Sequence, residues 1–160
     1  ALDNTSEQLA DPTLFNSTKP TASVFSVGTH VGTNVNGQSY IAWLFAEVPG
    51  FSKFGMYTGT TIGQLVWCGF KPRWVMVKRI DVASYHWVIV DTARDPYNVA
   101  FKRLLPSYYP YGDEMSDTAV MDITAGGFKF KSGDGNTDEV GGVYMYAAFA
   151  EAPFKFARAR

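Results

Sequence analysis

The phrase YIAWLFAEVP begins at Tyr40, and YMYAAFAEAP begins at Tyr144. At an offset of 104 residues, five of the ten positions are identical: Tyr40/Tyr144, Phe45/Phe149, Ala46/Ala150, Glu47/Glu151 and Pro49/Pro153. Internal similarity constrains architecture more than any local signal, because repeated segments take equivalent places in repeated units. The flanks agree as well: VFSVGTHVGTNVNGQSY leads into the first phrase and FKFKSGDGNTDEVGGVY into the second. Each occurrence therefore reads as strand, glycine-rich loop, strand, FAExP. On this reading residues 1–20 are an N-terminal arm, 21–49 a partial unit with the terminal strands of a preceding repeat, and 50–156 a complete unit. A half-unit cannot bury its apolar face alone, so 21–49 is expected to dock on the full unit or on a neighbouring chain.

The local pattern is that of strands. Aromatic residues make up 16% of the chain and glycines number 15, a combination that suits pleated surfaces joined by tight turns. RWVMVKRI and YHWVIVD alternate on either side of the polar turn Asp81–Ser84, which predicts a hairpin. SVFSV (Ser23–Val27), YIAWLFAE, QLVWCGF, GGFKFKSG and VYMYAAFAE are also read as strands, the second with both faces covered. In GGFKFKSG, Phe128 and Phe130 face one way and Lys129 and Lys131 the other. The stretch TARDPYNVAFKRLLPSYYPYGDEMSDTAV lacks alternation; a loop is expected, with a helical turn near Val99–Leu105 stopped by Pro106 and Pro110. Trp43, Trp67, Trp74 and Trp87 all fall in strand segments and are expected in the core. The fold class is all-β and antiparallel.

Charge and cysteine usage exclude several functions. The 14 basic and 15 acidic residues are well mixed, without the basic stripe that nucleic-acid binding requires. No apolar run approaches the ~20 residues of a membrane-spanning helix, so membrane insertion is not expected. The first twenty residues lack the basic-then-apolar order of a signal peptide. Cys68 is the lone cysteine and is read as a buried, inert thiol. His30 and His86 lie in unrelated contexts, without the clustered ligands of a zinc site.

Four groups of residues carry candidate chemistry. Glu47 and Glu151 invite comparison with the carboxylate pair of a glycosidase, but both occupy one place in a repeated phrase, which favours equivalent strand-end contacts. Asp91, Arg94 and Asp95 lie together in DTARDPYN, where an Asp–Arg pair bracing a turn competes with ligand binding. Asp134, Asn136 and Asp138 in GDGNTDE alternate as oxygen ligands of calcium do. The twelfth position from Asp134 is Met145 rather than a glutamate, which favours a solvated loop over a calcium site. Tyr108, Tyr109 and Tyr111 sit among prolines in LLPSYYPYGD, offering flat faces and hydroxyls to a sugar or a protein. No other cofactor is implied.

YIAWLFAEVPGFSKFGMYTG, GFKPRWVMVKR, DTARDPYN and the closing GFKFKSG…YMYAAFAEAPFKF together resemble tandem modules of phage tail-fibre and other virion-associated proteins. The resemblance covers residues from about 21 to 156. It implies a jelly-roll β-sandwich similar to concanavalin-like lectins and laminin-G modules, displayed on the virion surface. It further implies a non-enzymatic role: binding a host surface glycan or receptor, or acting as a purely structural spacer, with a carbohydrate-active enzyme as the rival class. The implied partners are copies of the chain, as a trimer or a filament, other virion proteins, and a host glycan. The segment LLPSYYPYGDEMSDTAV departs from the family's polar loop, at the place where ligand specificity would vary.

Overall fold

The structure, a computed structural model, describes residues 5–8, 11–60, 64–108, 114–131 and 133–151, with only the backbone described for 114–119. These residues fall into two compact units, 11–45 and 46–151, with 5–8 belonging to the second.

The larger unit is all-β. Its strands are β1 (Ser52–Thr58), β2 (Leu65–Trp67), β3 (Pro72–Arg79), β4 (Val88–Asp91), β5 (Ala100–Leu104), β6 (Glu114–Thr124), β7 (Gly127–Phe130) and β8 (Val143–Ala150). They form one sheet in the order β1-β8-β3-β4-β5-β6-β7-β2, and every paired neighbour is antiparallel. The sheet rolls until it nearly closes. Tyr57 of β1 stacks on Tyr144 of β8 at 5.0 Å and on Phe130 of β7 at 5.5 Å, while Phe128 meets Tyr146 edge-on at 5.4 Å. Strands far apart in the sheet order thus share one core, with Val75, Val77, Val88, Val90, Val120 and Met121 buried among these rings.

Alternation sets the register. In β7, Phe128 and Phe130 point inward while Lys129 is part-exposed, the arrangement expected from the sequence. The predicted hairpin is present as β3 and β4, with Trp74 opposite Asp91 and Val77 opposite Val88. β8 lies between β1 and β3, so its backbone is paired on both sides. The chain enters β1 through a tight reversal: Val48 and Ser52 bridge antiparallel, and Gly50 at φ 75° supplies the left-handed residue that the turn requires.

Several expectations fail here. The region near Val99–Leu105 is strand β5 rather than a helical turn, and β6 follows in the stretch read as loop. Neither SVFSV nor YIAWLFAE belongs to a strand. Strand-forming composition is not sufficient, because a ladder needs a partner supplied by distant sequence. Trp67 is exposed, as is Trp43, while Trp74 and Trp87 are only part-buried, so the four tryptophans are not the core. Tyrosines, phenylalanines and valines fill that place.

The smaller unit, 11–45, contains no buried residue. Its one helical turn, α1 (Pro12–Phe15), is capped by Asp11 and ends on Asn16 in the left-handed conformation. Hydrogen bonds hold the unit together: Gly28 N–H donates to Leu14, Asn34 Nδ2 to Gly28, and the Tyr40 hydroxyl to the carbonyl of Val31.

Candidate functional site

The acids of DTARDPYN work as braces. Asp91 Oδ1 accepts from the N–H groups of Ala93 and Arg94 at 3.1 and 2.8 Å, and Oδ2 pairs with Arg94 Nη2 at 2.9 Å. Asp95 Oδ2 accepts from the N–H groups of Phe101 and Lys102 at 2.7 and 3.1 Å, tying the segment to β5. The internal Asp–Arg pair weighed from the sequence is present as Asp91–Arg94, and Asp95 serves the strand instead. Tyr108 is part-exposed and sets its ring against His86 at 5.1 Å, while His86 Nδ1 lies 3.2 Å from Ser107 Oγ. Tyr109 and Tyr111 lie outside the described residues.

The three oxygen-bearing residues of GDGNTDE point to different partners. Asp134 pairs with the buried guanidinium of Arg103 and accepts from Asn136 N–H at 2.8 Å. Burial pushes its carboxyl up, but the Asn136 amide and Arg103 together outweigh this and leave it below the usual range. Asn136 Oδ1 takes the His86 N–H at 2.7 Å. Asp138 is buried, and neither carboxylate oxygen makes a hydrogen bond of normal geometry among the described residues. Burial pushes its carboxyl up to about 6, the nearby Thr60 N–H offsetting part of the effect. The loop thus commits two of its three oxygen-bearing residues, Asp134 and Asn136, to the protein itself. Next to it, buried Arg79 pairs with Asp81 at 2.9 Å and with Glu139, and lies 4.4 Å from the Tyr85 ring centroid.

Glu47 and Glu151 do equivalent work at the ends of the repeated phrase. Glu47 pairs with Lys53 at 3.0 Å and accepts from Phe54 N–H; Glu151 pairs with Lys71 at 2.6 Å. Each joins the end of FAE to a lysine in or next to a strand. Lys53 and the Phe54 amide hold the Glu47 carboxyl below the usual range.

Sequence reasoning passed over one site. Between the start of β1 and the end of β2 lies a cleft of about 430 Å³, lined by Glu47, Lys53, Trp67, Cys68 and Phe70 among others. Trp67 is 67% exposed. The signal was present: Val66 and Cys68 alternate inward, which turns Leu65 and Trp67 outward. Cys68 is the buried thiol expected, with burial pushing it up to about 11.

The site thus belongs to an antiparallel all-β unit that braces several of its acids internally and opens a cleft between its edge strands β1 and β2. The chain belongs to the family described as Domain of unknown function (DUF7483), whose model matches residues 1–153 and so spans both copies of the phrase. No curated protein and no solved structure matches the chain.

Proposed function

We propose that this protein is a non-enzymatic module of an extended virion protein, a tail fibre or decoration, that assembles with copies of itself and with other virion proteins. The observation that carries the reading is the exposed apolar segment Tyr40–Phe45. Ile41 is 80%, Trp43 77% and Leu44 73% exposed, in a phrase whose twin forms the doubly paired strand β8. Such apolar surface is normally hidden in an interface. The segment has the sequence of an interior strand, and the edge of a neighbouring copy's sheet supplies the pairing it lacks. A closed ring such as a trimer, or an open head-to-tail filament, satisfies every copy.

The fold reading that accompanies this is a jelly-roll-like sandwich akin to concanavalin-like lectins. It is supported by the single pair Ile89↔Leu104 between β4 and β5, where one sheet can bend into two layers, β1-β8-β3-β4 over β5-β6-β7-β2. A second functional reading, that the module also binds a host surface glycan, is favoured by the exposed Trp67 beside a cleft that Glu47 and Lys53 line.

The assembly reading is tested by replacing Ile41, Trp43 and Leu44 with serine. Light scattering is expected to show a multimeric native chain and a monomeric variant, whose circular dichroism confirms that it is folded and whose melting temperature, unlike that of the native chain, does not depend on concentration. Equal masses for the two proteins would refute it.

A further inference from the structure

We propose that Trp67 and the cleft beside it form a saccharide-binding site, with one sugar ring stacked through its C–H face on the indole and its hydroxyls bonded to Glu47 and Lys53. The proposal rests on the glycan-binding reading above and is independent of the assembly reading.

The indole is fixed as well as exposed. Its six-membered ring lies against the backbone of Gly126, in the turn between β6 and β7. A Cβ at that glycine would stand 2.8 Å from Cε3 of the indole and closer still to Cη2 and Cζ3. The Gly126 carbonyl is itself held by two N–H donors, Cys68 at 2.8 Å and Gly69 at 3.0 Å. The turn under the ring is thus pinned to the end of β2. Ring atoms of the indole pack on bare backbone, which only glycine leaves open, while the residue as a whole is 67% exposed. A ring held flat at the surface binds without first losing rotamer freedom, which favours affinity.

The surroundings select the ligand class. A sugar presents an apolar C–H face and a rim of hydroxyls, and it needs an aromatic platform with charged or polar hydrogen-bonding groups at the edge. Glu47 and Lys53 line the same cleft, paired at 3.0 Å and each about half exposed, supplying an ionised acceptor and a donor. The cleft of about 430 Å³ lies within the range of small-ligand sites. A protein hot spot would instead want the ring encircled by apolar contacts that exclude water. Pro49 and Phe70 line the cleft too, but a carboxylate, an ammonium and glycine backbone interrupt such a rim.

The full chain is screened on an array of hexose, N-acetylhexosamine, uronic-acid and heptose oligosaccharides, and the strongest binder is titrated into native protein, Trp67→Ala, Trp67→Phe and Gly126→Ala. Binding is followed by calorimetry and by the indole Nε1–H resonances. The expected result is a shift of the Trp67 resonance on binding, and affinity weaker by roughly tenfold or more in Trp67→Ala, a loss on the scale of one aromatic contact. Trp67→Phe should lose less. Gly126→Ala should lose affinity while keeping the tryptophan, because its Cβ displaces the ring. Binding unchanged in a folded Trp67→Ala would overturn the site and leave the glycan reading standing. Absence of binding to every saccharide would overturn both. A smaller mass for Trp67→Ala in light scattering, with saccharide affinity intact, would make the ring a contact between copies and overturn the proposal.

Discussion

The consequential single residue for stability is Asp138, whose carboxyl is buried under the loop that closes onto β1. Its folded value of about 6 lies above the ordinary 3.8, so the native state binds a proton more tightly than the unfolded chain. Stability from this group is therefore full below the unfolded value and is lost as pH rises through about 4 to 6. Above that window the charged, buried form costs at most about 3 kcal/mol. Asp138→Asn keeps the shape and removes the charge. Urea unfolding at several pH values is expected to show the two proteins nearly equal near pH 4, with the variant gaining on the native chain up to pH 7 by about 1–3 kcal/mol. A difference that does not vary with pH would contradict this placement of Asp138. Asp81 and Asp134 carry the opposite sign: both are held low in the folded state, so their contributions are present at neutral pH and fade as acid is added.

At the scale of elements, β5 and β6 show why part of the fold could be read from the sequence and part could not. The alternation in RWVMVKRI and FKF and the apolar run of YMYAAFA mark strands, and the local connection 80–87, which takes in Tyr85–Trp87 of the expected second strand, pairs β3 with β4 by proximity. β5 (AFKRL) is short and sets Lys102 beside Arg103 where alternation would want an apolar residue, and its ladder with β6 is irregular between Ala100 and Lys102. On the other side of Ala100, before β5 begins, a side chain extends the ladder: Asn98 Nδ2 donates to Ile123 O at 2.8 Å, and its Oδ1 accepts from Ile123 N–H at 2.9 Å. One asparagine so imitates a strand neighbour, and no periodicity reveals that. Asn98→Ala is expected to lower stability by about 1–3 kcal/mol through the unpaired Ile123 backbone. An unchanged urea midpoint would show that water replaces the amide without loss. The site divides in the same way. The bracing of Asp91 by Arg94 was visible in the spacing of the segment. The seat of Trp67 on Gly126 joins residues almost sixty positions apart, and it emerges only when β2 pairs with β7.

For the whole molecule, the two copies of one phrase meet different fates. Tyr144–Ala150 lies between two strands, while residues 41–47 belong to no strand and leave Ile41, Trp43 and Leu44 in solvent. Sequence similarity this close argues for similar structural demands, and the account proposed above meets them by assembly. Residues 5–8 hydrogen-bond to the β3–β4 connection, with Gln8 N–H donating to Ile80 and Ser84 N–H to Thr5. Removing all of residues 1–49 would therefore strip contacts from the β unit as well as the exposed phrase, which makes it a poor test. The direct measurement is amide hydrogen exchange at the residues of Tyr40–Ala46, followed over a wide range of protein concentration with β8 as the internal standard. The account predicts that these amides exchange freely in dilute solution and become protected as concentration rises, while β8 stays protected throughout. Exchange at Tyr40–Ala46 that is fast at every concentration would contradict it.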